Sequence, residues 1–249
     1  MNKISVVILT KNEEKNILDC IESVREFDEV ILIDDYSSDR TIEVVKAIKG
    51  LNIKIFKRKL DGNFSEQRNF GLMKAKNEWV LFVDADERVS KRLLTEIINL
   101  NVESNSGFRI RRVDEIWGHK YRYGDVGNVN LIRLGRVNSG EWKGKVHEVW
   151  NINGEVDNLI NSLDHFPHQT LGEFIREIDY YSTLRAKELF DKNTKVNLFD
   201  IVAYTKAKFI VNYVLKLGFL DGIYGFIHAM IMSLHSFLVR SKLYLLNNK

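Results

Sequence analysis

The chain has few of the residues that cross-link or break a polypeptide: its 249 residues include one cysteine and one proline. A lone cysteine, Cys20, excludes an internal disulfide and is typical of a reducing compartment. With Pro167 isolated and 15 glycines, no flexible linker or low-complexity tract is predicted. The net charge of +3 is too small for a protein that coats nucleic acid. What remains is a globular protein with 45% apolar residues.

Two nucleotide-binding signatures are also missing. No Gly-x-Gly-x-x-Gly follows the first predicted strand, and the sequence contains no Gly-x-x-x-x-Gly-Lys-Ser/Thr. These absences argue against dinucleotide oxidoreductases and P-loop phosphotransferases. Residues 1–6 lead directly into a strand-like segment and lack the long apolar region of a signal peptide. We therefore expect a cytoplasmic protein.

The most informative stretch that is present covers residues 79–87. Five apolar residues, mostly β-branched or aromatic, predict a strand buried on both faces, and Asp84 and Asp86 follow it. In an extended stretch these two carboxylates point to the same side and repel each other unless a cation lies between them. Mg²⁺ and Mn²⁺ prefer such oxygens and often share one or two protein ligands with substrate phosphates. The stretch predicts a divalent metal site, with a solvated loop as the alternative.

Strands and helices alternate ahead of this stretch. The predicted strands are residues 4–9, 29–33 and 53–56, and the predicted helices are residues 16–27, 41–49 and 63–76. This alternation predicts an α/β fold with a doubly wound parallel sheet, whose ligands bind beyond the carboxyl ends of the strands. Polar residues follow three of the strand ends and would converge on one crevice. Arg68 could face this crevice and meet phosphate, or it could be an exposed helical arginine.

Four ordered motifs carry a resemblance to a known family. They are residues 5–14, 30–41, 67–72 and 79–87. In sequence and spacing they resemble the motifs of family-two glycosyltransferases with the GT-A fold. The whole chain most resembles the bacterial branch that glycosylates lipopolysaccharide core, through residues 144–148 and 217–222. One departure is Tyr36, at a position where glycine is commoner.

The resemblance implies a GT-A fold, with a mixed sheet and helices on both faces, and a set of donor-site residues. Asp34 and Asp35 would lie by the nucleoside, bonding uracil or ribose. The residues implied at the nucleotide-sugar site are Asn12, Glu13, Asp34, Asp35, Arg68 and Asp84.

The resemblance also implies a metal site. Asp84 and Asp86 would form an Asp-x-Asp element that holds Mg²⁺ or Mn²⁺, with Asp86 the firmer ligand. A late histidine often completes the metal shell in GT-A enzymes. His165 and His147 compete for that role, and a structural histidine is the alternative for each.

Basic and aromatic residues intermingle from residue 108 onwards, without helical periodicity, which predicts short strands and loops. The members are Arg109, Arg111, Arg112, Trp117, Lys120, Tyr121, Arg122, Tyr123, Arg133, Arg136 and Trp142. Such a surface suits a phosphate-bearing sugar acceptor, because rings stack on sugars and guanidinium groups grip phosphate. It would equally suit RNA, but no RNA-binding motif is present. We expect acceptor contacts from Arg133 and His147.

A general base is expected after this segment. The resemblance places an acidic residue there, which favours Glu148, with Asp125 and Asp114 in reserve. A carboxylate serves as a base only if it reaches the reacting hydroxyl and has a suitable pKa. A sequence reveals neither that distance nor that pKa.

The predicted organisation is a GT-A catalytic domain over residues 1–166 and a helical C-terminal extension over residues 167–249. Residues 1–106 of the first domain would bind the nucleotide sugar and residues 107–166 the acceptor. The most apolar part of the extension, residues 223–239, falls short of the ~20 residues of a bilayer helix. Flanked by lysines, these helices could rest on an anionic leaflet. Packing against the catalytic domain or a second subunit is the alternative.

These features predict a metal-dependent inverting hexosyltransferase. It would move a hexose, with glucose favoured, from a UDP-linked donor to a hydroxyl of a lipopolysaccharide-core or similar glycolipid or oligosaccharide acceptor. We expect no nucleic-acid partner, and contact with the inner face of the cytoplasmic membrane is left open. The alternatives are a polyprenyl-phosphate glycosyltransferase and an inactive nucleotide-sugar-binding module. The length, basic segment and helical tail argue against a response-regulator-like receiver.

Overall fold

The structure is a computed structural model that describes residues 3–127, 129–145, 148–167 and 170–248. The chain divides into two compact units. Unit 1 comprises Met1–Arg112 and Asn130–His165, and unit 2 comprises Val113–Val129 and Phe166–Lys249. The units assign residues 113–129 to the same body as the C-terminal helices. The catalytic and extension roles predicted for residues 1–166 and 167–249 stay predictions.

The first half of unit 1 is a parallel sheet with alternating helices. Its strands are β1 (Ile4–Thr10), β2 (Glu29–Asp34), β3 (Ile53–Lys57) and β4 (Trp79–Asp84), in the spatial order β3-β2-β1-β4. Its helices are α1 (Ile17–Ser23), α2 (Thr41–Ala47) and α3 (Phe64–Lys74). The side chain of Asn63 accepts the backbone N–H of Glu66 and so fixes the start of α3. The predicted α/β alternation is confirmed.

The sheet continues beyond β4 as a mixed sheet. The remaining strands are β5 (Glu87–Val89), β6 (Asn105–Ile116), β7 (His119–Lys120), β8 (Val129–Arg136), β9 (Gly140–Lys143), β10 (Val149–Ile152) and β11 (Glu155–His165), and helix α4 covers Lys91–Ile98. The order from β4 is β8-β6-β11-β5, with β8 antiparallel to β4. The expectation of short strands from residue 108 onwards was wrong for β6, which has 12 residues. In β6, buried Phe108 and Ile110 alternate with less buried arginines, which is the pattern of a half-buried strand.

Apolar clusters cover both faces of the sheet of unit 1. Val6 and Ile8 of β1 pack with Cys20 of α1 on one face. Val7 packs with Trp142 and other apolar residues on the opposite face. Leu72 of α3 belongs to this second cluster, so helices α1 and α3 cover opposite faces, and the predicted GT-A architecture of a mixed sheet with helices on both faces is confirmed.

Unit 2 is mainly helical. Helix α5 covers Leu171–Asp191, α6 covers Leu198–Ile210, and α7 covers Gly222–Asn247. Helix α7 packs against both α5 and α6, and Phe174, Ile178 and Ile231 form the buried centre. A π-helical turn at Val211–Leu215 and a 3-10 turn at Gly218–Asp221 join α6 to α7.

One segment of the described chain, Gly218–Asn247, is long and apolar enough to cross a membrane by length and composition. Residues 223–239 were expected to be too short to span a bilayer. This expectation was wrong on length, because the helix continues beyond residue 239. Buried core helices meet the same measure, so the segment by itself does not distinguish a spanning helix from a packed one.

Candidate active site

Three strand ends with polar residues lie side by side at one edge of the sheet of unit 1. Strand β1 lies between β2 and β4, and Thr10 is in register with Asp34 while Leu9 is in register with Asp84. Because these strands are parallel, their carboxyl ends emerge at the same edge. The register therefore brings the two predicted donor-site aspartates to neighbouring positions.

The loop after β2 is fixed by its own aspartates. Asp34 is fully buried and its carboxylate accepts the backbone N–H and the hydroxyl of Ser37. Asp35 accepts the backbone N–H of Leu60 and forms an ion pair with Lys11 at 2.6 Å. Both carboxylates are thus held at the edge of the sheet, and their predicted contacts with a nucleoside stay predictions.

Each of these two loops contains one non-glycine residue with a strained backbone. Asn12 and Tyr36 have φ angles of +56° and +53°, in the left-handed region that favours glycine. Asn12 links the loops, since its backbone N–H donates to Ser37 Oγ and its side-chain oxygen accepts the N–H of Ser38. The positive φ explains in physical terms why glycine suits position 36.

Glu13 is a carboxyl group held by an amide. Its side chain accepts from Asn16 Nδ2 at 2.8 Å, and its backbone N–H donates to Thr41 Oγ1. Burial raises the pKa of Glu13 to about 7, and the hydrogen bond from Asn16 only partly opposes this effect. Glu13 therefore changes charge near neutral pH.

Asp84 lies between two buried guanidinium groups. Arg68 Nη2 contacts its Oδ1 at 2.9 Å, and Arg133 Nη2 contacts its Oδ2 at 2.7 Å. The two arginine side chains are 5% and 4% exposed. Burial alone would raise the pKa of Asp84, but Arg133 and Arg68 hold it well below its usual range. Among the described residues, the cations at this carboxylate are two arginines, and the metal contact predicted for Asp84 stays a prediction.

Glu87 also belongs to this network. It is fully buried, accepts from Arg133 Nη2 at 2.9 Å and accepts the backbone N–H of Asp84 at 2.9 Å. Burial raises its pKa, and the charge of Arg133 acts in the opposite direction. Arg133, predicted to contact the acceptor, is thus buried and engaged with two carboxylates. An acceptor contact from it stays a prediction.

Asp86 and His165 form a separate pair. Asp86 Oδ2 and His165 Nε2 are 3.2 Å apart, and the Asp86 side chain is 25% exposed whereas His165 is buried. Burial would raise the pKa of Asp86, but His165 lowers it, so the carboxylate is ionised at neutral pH. The described residues contain no group of three or more metal-ligating side chains. The pair therefore fits a divalent ion that takes its other ligands from substrate phosphates and water.

Glu148, the predicted base, is tied to the same network. Arg68 Nε donates to Glu148 Oε1 at 2.7 Å, while the Arg68 guanidinium lies over the rings of Trp142 and Phe82. One arginine therefore holds both Glu148 and Asp84. His147, the other acceptor and metal candidate, lies outside the described residues.

Three buried N–H-bearing nitrogens of the two arginines have no hydrogen-bond partner among the described residues. They are Arg68 Nη1, Arg133 Nε and Arg133 Nη1. Buried donors are normally satisfied, so these nitrogens keep hydrogen-bonding capacity that the described residues do not use.

The reserve bases belong to unit 2. Asp125 forms ion pairs with Lys208 at 2.6 Å and with Lys216 at 2.5 Å. Burial would raise its pKa, but the hydrogen bonds from these lysines lower it to about 2. Asp114 is buried in the same unit. The sequence assigned no role to Lys11 or Glu87, although both lie in the motifs over residues 5–14 and 79–87.

A family model matches more than half of the chain. It is described as glycosyl transferase family 2 and matches residues 5–150. This region contains the strand ends, both arginines and Glu148, whereas His165 lies beyond it.

One relative aligns with nearly the whole chain. It is the lipopolysaccharide core biosynthesis glycosyltransferase LpsC of Rhizobium meliloti (strain 1021), 29% identical over 248 residues, which cover 97% of this chain and 92% of the relative.

Two solved structures share the fold. The mannosyltransferase PcManGT from Pyrobaculum calidifontis, in complex with GDP-Man and Mn²⁺, has a TM-score of 0.54 at 12% identity, over 99% of this chain and 88% of the other. TarS 1–349 of S. aureus, in complex with UDP-GlcNAc, has a TM-score of 0.50 at 16% identity, over 99% and 92%. At these identities the likeness concerns the fold alone.

Proposed function

The chain belongs to glycosyl transferase family 2, and on that premise we propose that it is an inverting hexosyltransferase acting on a glycolipid. The donor is a nucleotide-diphosphate sugar, with UDP-glucose our choice. The acceptor is a hydroxyl of lipopolysaccharide core or a similar glycolipid, as the name of the relative LpsC suggests. The reaction takes place in the cytoplasm, at the inner face of the membrane. The observation that carries the proposal is that one arginine, Arg68, binds both Asp84 and Glu148.

Donor binding is assigned to the loops at the strand ends. Asp34 and Asp35 face the nucleoside from the loop after β2, with Asn12 and Glu13 contributing from the loop after β1. Asp84 is kept ionised by its arginines and accepts sugar or ribose hydroxyls. The unpartnered nitrogens of Arg68 and Arg133 are donors for a phosphate oxygen.

The metal is assigned to Asp86 and His165. The ionised carboxylate and the imidazole nitrogen provide two ligands, which supports Mn²⁺ or Mg²⁺ shared with the diphosphate. When bound, such an ion offsets the charge that grows on the departing diphosphate.

The transfer step needs a base at the acceptor hydroxyl. Its oxygen attacks the anomeric carbon while its proton passes to Glu148. The bond from that carbon to the diphosphate oxygen breaks, and the electron pair leaves with the nucleoside diphosphate. A single displacement inverts the anomeric centre.

A second candidate is transfer to a polyprenyl phosphate, and one contact favours it. Glu148 accepts from Arg68 Nε at 2.7 Å, so one of its carboxylate oxygens is already engaged by a cation and not by an acceptor hydroxyl. A phosphate acceptor is already an anion and needs no base. Substitution of Glu148 therefore separates the two candidates.

The first experiment measures binding of UDP-glucose and other nucleotide sugars by calorimetry, with and without Mn²⁺. We expect metal-dependent donor binding that Asp86→Ala abolishes and that Asp157→Asn, an exposed carboxylate on β11, retains. Metal-dependent turnover retained in full by Asp86→Ala would show the assignment to be wrong.

The second experiment measures UDP release and product with extracted glycolipid as acceptor. With a hydroxyl acceptor, Glu148→Gln should lower kcat by about 10²–10⁴-fold while donor affinity persists. Nearly unchanged turnover with a polyprenyl phosphate would support the second candidate. Donor binding without any transfer or hydrolysis would indicate an inactive binding module.

A further inference from the structure

The connection between α6 and α7 exposes an unusual run of apolar side chains. Six of the ten residues 214–223, here called the apolar turn, are large, apolar and 44–69% exposed: Val214, Leu215, Leu217, Phe219, Leu220 and Ile223. Single exposed apolar residues are ordinary on protein surfaces, but a contiguous group marks a contact surface.

The backbone of the apolar turn is fixed by close packing. A Cβ at Gly218 would lie 2.6 Å from the carbonyl oxygen of Asn212, and one at Gly225 would lie 1.9 Å from that of Gly218. The buried carboxylate of Asp221 accepts the backbone N–H groups of Arg122 and Tyr123. The apolar side chains therefore point outwards from an ordered turn.

The apolar surface continues along both helices. Its further members are Leu198, Phe199, Val202, Tyr204 and Ile210 on α6, and Phe226, Met230, Leu234 and Phe237 on α7. These positions are 39–77% exposed within the described chain.

The charge around this surface is positive. Residues 198–248 contain five basic residues, Lys206, Lys208, Lys216, Arg240 and Lys242, and two acidic ones, Asp200 and Asp221. Asp221 is buried, Lys208 and Lys216 share the single carboxylate of Asp125, and Lys242 pairs with Asp179 of α5. An apolar surface with an excess of cations complements an anionic lipid surface. A second copy of the chain would bring like charges together.

We propose that the apolar turn inserts into the surface of an anionic lipid bilayer, with α6 and α7 lying among the headgroups. This inference concerns a surface of unit 2 and requires neither the donor nor the transfer reaction proposed above.

Packing within unit 2 favours shallow insertion over a helix that crosses the bilayer. Helix α7 runs along α5, and Lys242 Nζ contacts Asp179 Oδ1 and Thr183 Oγ1 at 2.7 Å each. Helix α5 carries exposed charges such as Arg185 and Glu188. If α7 crossed the hydrocarbon, it would draw these charges into it at a large cost.

The test uses the full chain and vesicles without any sugar substrate. Flotation is measured with phosphatidylglycerol–phosphatidylcholine vesicles and with phosphatidylcholine alone. We expect binding to the anionic vesicles that added salt weakens, and an about tenfold lower partition for the double variant Phe219→Ser, Leu220→Ser. The matched control is Ile160→Ser on β11, because Ile160 is 91% exposed in unit 1 and should have no effect.

Three results would overturn the proposal. The first is a wild-type chain that does not bind anionic vesicles, and the second is an equal loss with Ile160→Ser. The third is a wild-type dimer in sedimentation velocity that the double variant converts to monomer, because a second copy would then cover the turn. If circular dichroism shows that the double variant is unfolded, Lys206→Glu replaces it, and its binding to anionic vesicles should fall without a change in stability.

Discussion

The two units depart from ordinary burial in opposite ways. Unit 1 buries charged side chains, including Arg68, Arg133 and Glu87, around Asp84 at the carboxyl end of β4. Unit 2 leaves large apolar side chains such as Leu198 and Phe199 exposed. Charged residues are rarely buried unless paired, and extended apolar surface is rarely left in water. Such departures from local rules are where functional sites are expected.

The units differ in whether their unusual side chains, buried charges in one and exposed apolar groups in the other, have a compensating partner within the described chain. In unit 1, each carboxylate of the Asp84 network has an arginine within hydrogen-bond distance. In unit 2 the apolar surface has no such compensation within the described chain. Loss of one partner should therefore be costly in unit 1, whereas substitution of the exposed surface in unit 2 should cost little. The following predictions test this contrast.

The largest effect is expected for Arg133→Met. This change removes a cation from the fully buried carboxylate of Glu87 and from the partly buried carboxylate of Asp84. An uncompensated buried charge typically costs about 3–5 kcal/mol, so we expect a loss of that size in the free energy of unfolding. Urea denaturation followed by tryptophan fluorescence measures it.

The control for this prediction is Arg92→Met, at an exposed arginine of α4, which should stay within about 0.5 kcal/mol of wild type. Adding Glu87→Gln to Arg133→Met should recover part of the loss, because one uncompensated charge is removed. A loss below about 1 kcal/mol for Arg133→Met would mean that water, and not Arg133, compensates these carboxylates.

The next effect concerns the rigidity of the apolar turn in unit 2. Gly225→Ala would place a Cβ 1.9 Å from the carbonyl oxygen of Gly218, so the backbone must move. We expect a loss of about 1–3 kcal/mol in thermal or chemical unfolding. Gly172→Ala in the first turn of α5 is the matched control, since its Cβ would meet nothing closer than 3.8 Å. That control should be neutral or stabilising, and an equal loss in both variants would contradict a tightly packed turn.

Part of this arrangement was predictable from sequence because its causes are local. The apolar periodicity of the first strands and helices indicates the parallel sheet, and that sheet aligns Asp34 with Asp84. The Asp-x-Asp stretch follows a buried strand, which is enough to propose a site.

The partners of these residues were not predictable, because they are distant in sequence. Arg133 lies 49 residues from Asp84, and Arg68 lies 80 residues from Glu148. Sequence alone suggested that Arg133 faces an acceptor, since nothing local reveals which carboxylates it binds. Asp125 was considered as an alternative base because the sequence does not reveal its ion pair with Lys208, which lies 83 residues away.

A smaller effect is expected for Glu13→Gln in unit 1, because the side-chain hydrogen bond of Glu13 comes from the neutral amide of Asn16 and not from an arginine. Burial raises its pKa from 4.5 to about 7, with Asp86 and Asp39 adding to the rise and Arg88 opposing it. Between these pH values the folded state keeps a proton that the unfolded state releases. Stability is therefore lost as the pH rises through this window.

Glutamine does not ionise, so the unfolding free energy of the variant should increase relative to that of wild type as the pH rises. A pKa change of this size corresponds to at most about 3 kcal/mol, and solvent around Glu13 reduces it to about 1–2 kcal/mol above pH 7. Unfolding free energies at pH 4 and pH 8 measure this gain, with exposed Glu26→Gln as control. An equal difference at both pH values would contradict the raised pKa.

The smallest effect is expected on the exposed surface of α6. Leu198 and Phe199 are 73% and 77% exposed, so folding removes little of their surface from water. The double variant Leu198→Ser, Phe199→Ser should therefore change the unfolding free energy by less than about 0.5 kcal/mol, because only buried area contributes. Phe174→Ser, at a buried position of α5, is the contrast and should cost about 3–5 kcal/mol. A loss above about 1 kcal/mol for the double variant, growing with protein concentration, would show that another copy of the chain buries this surface. The contrast between the two units would then disappear, because a second copy of the protein would cover the exposed apolar side chains of unit 2.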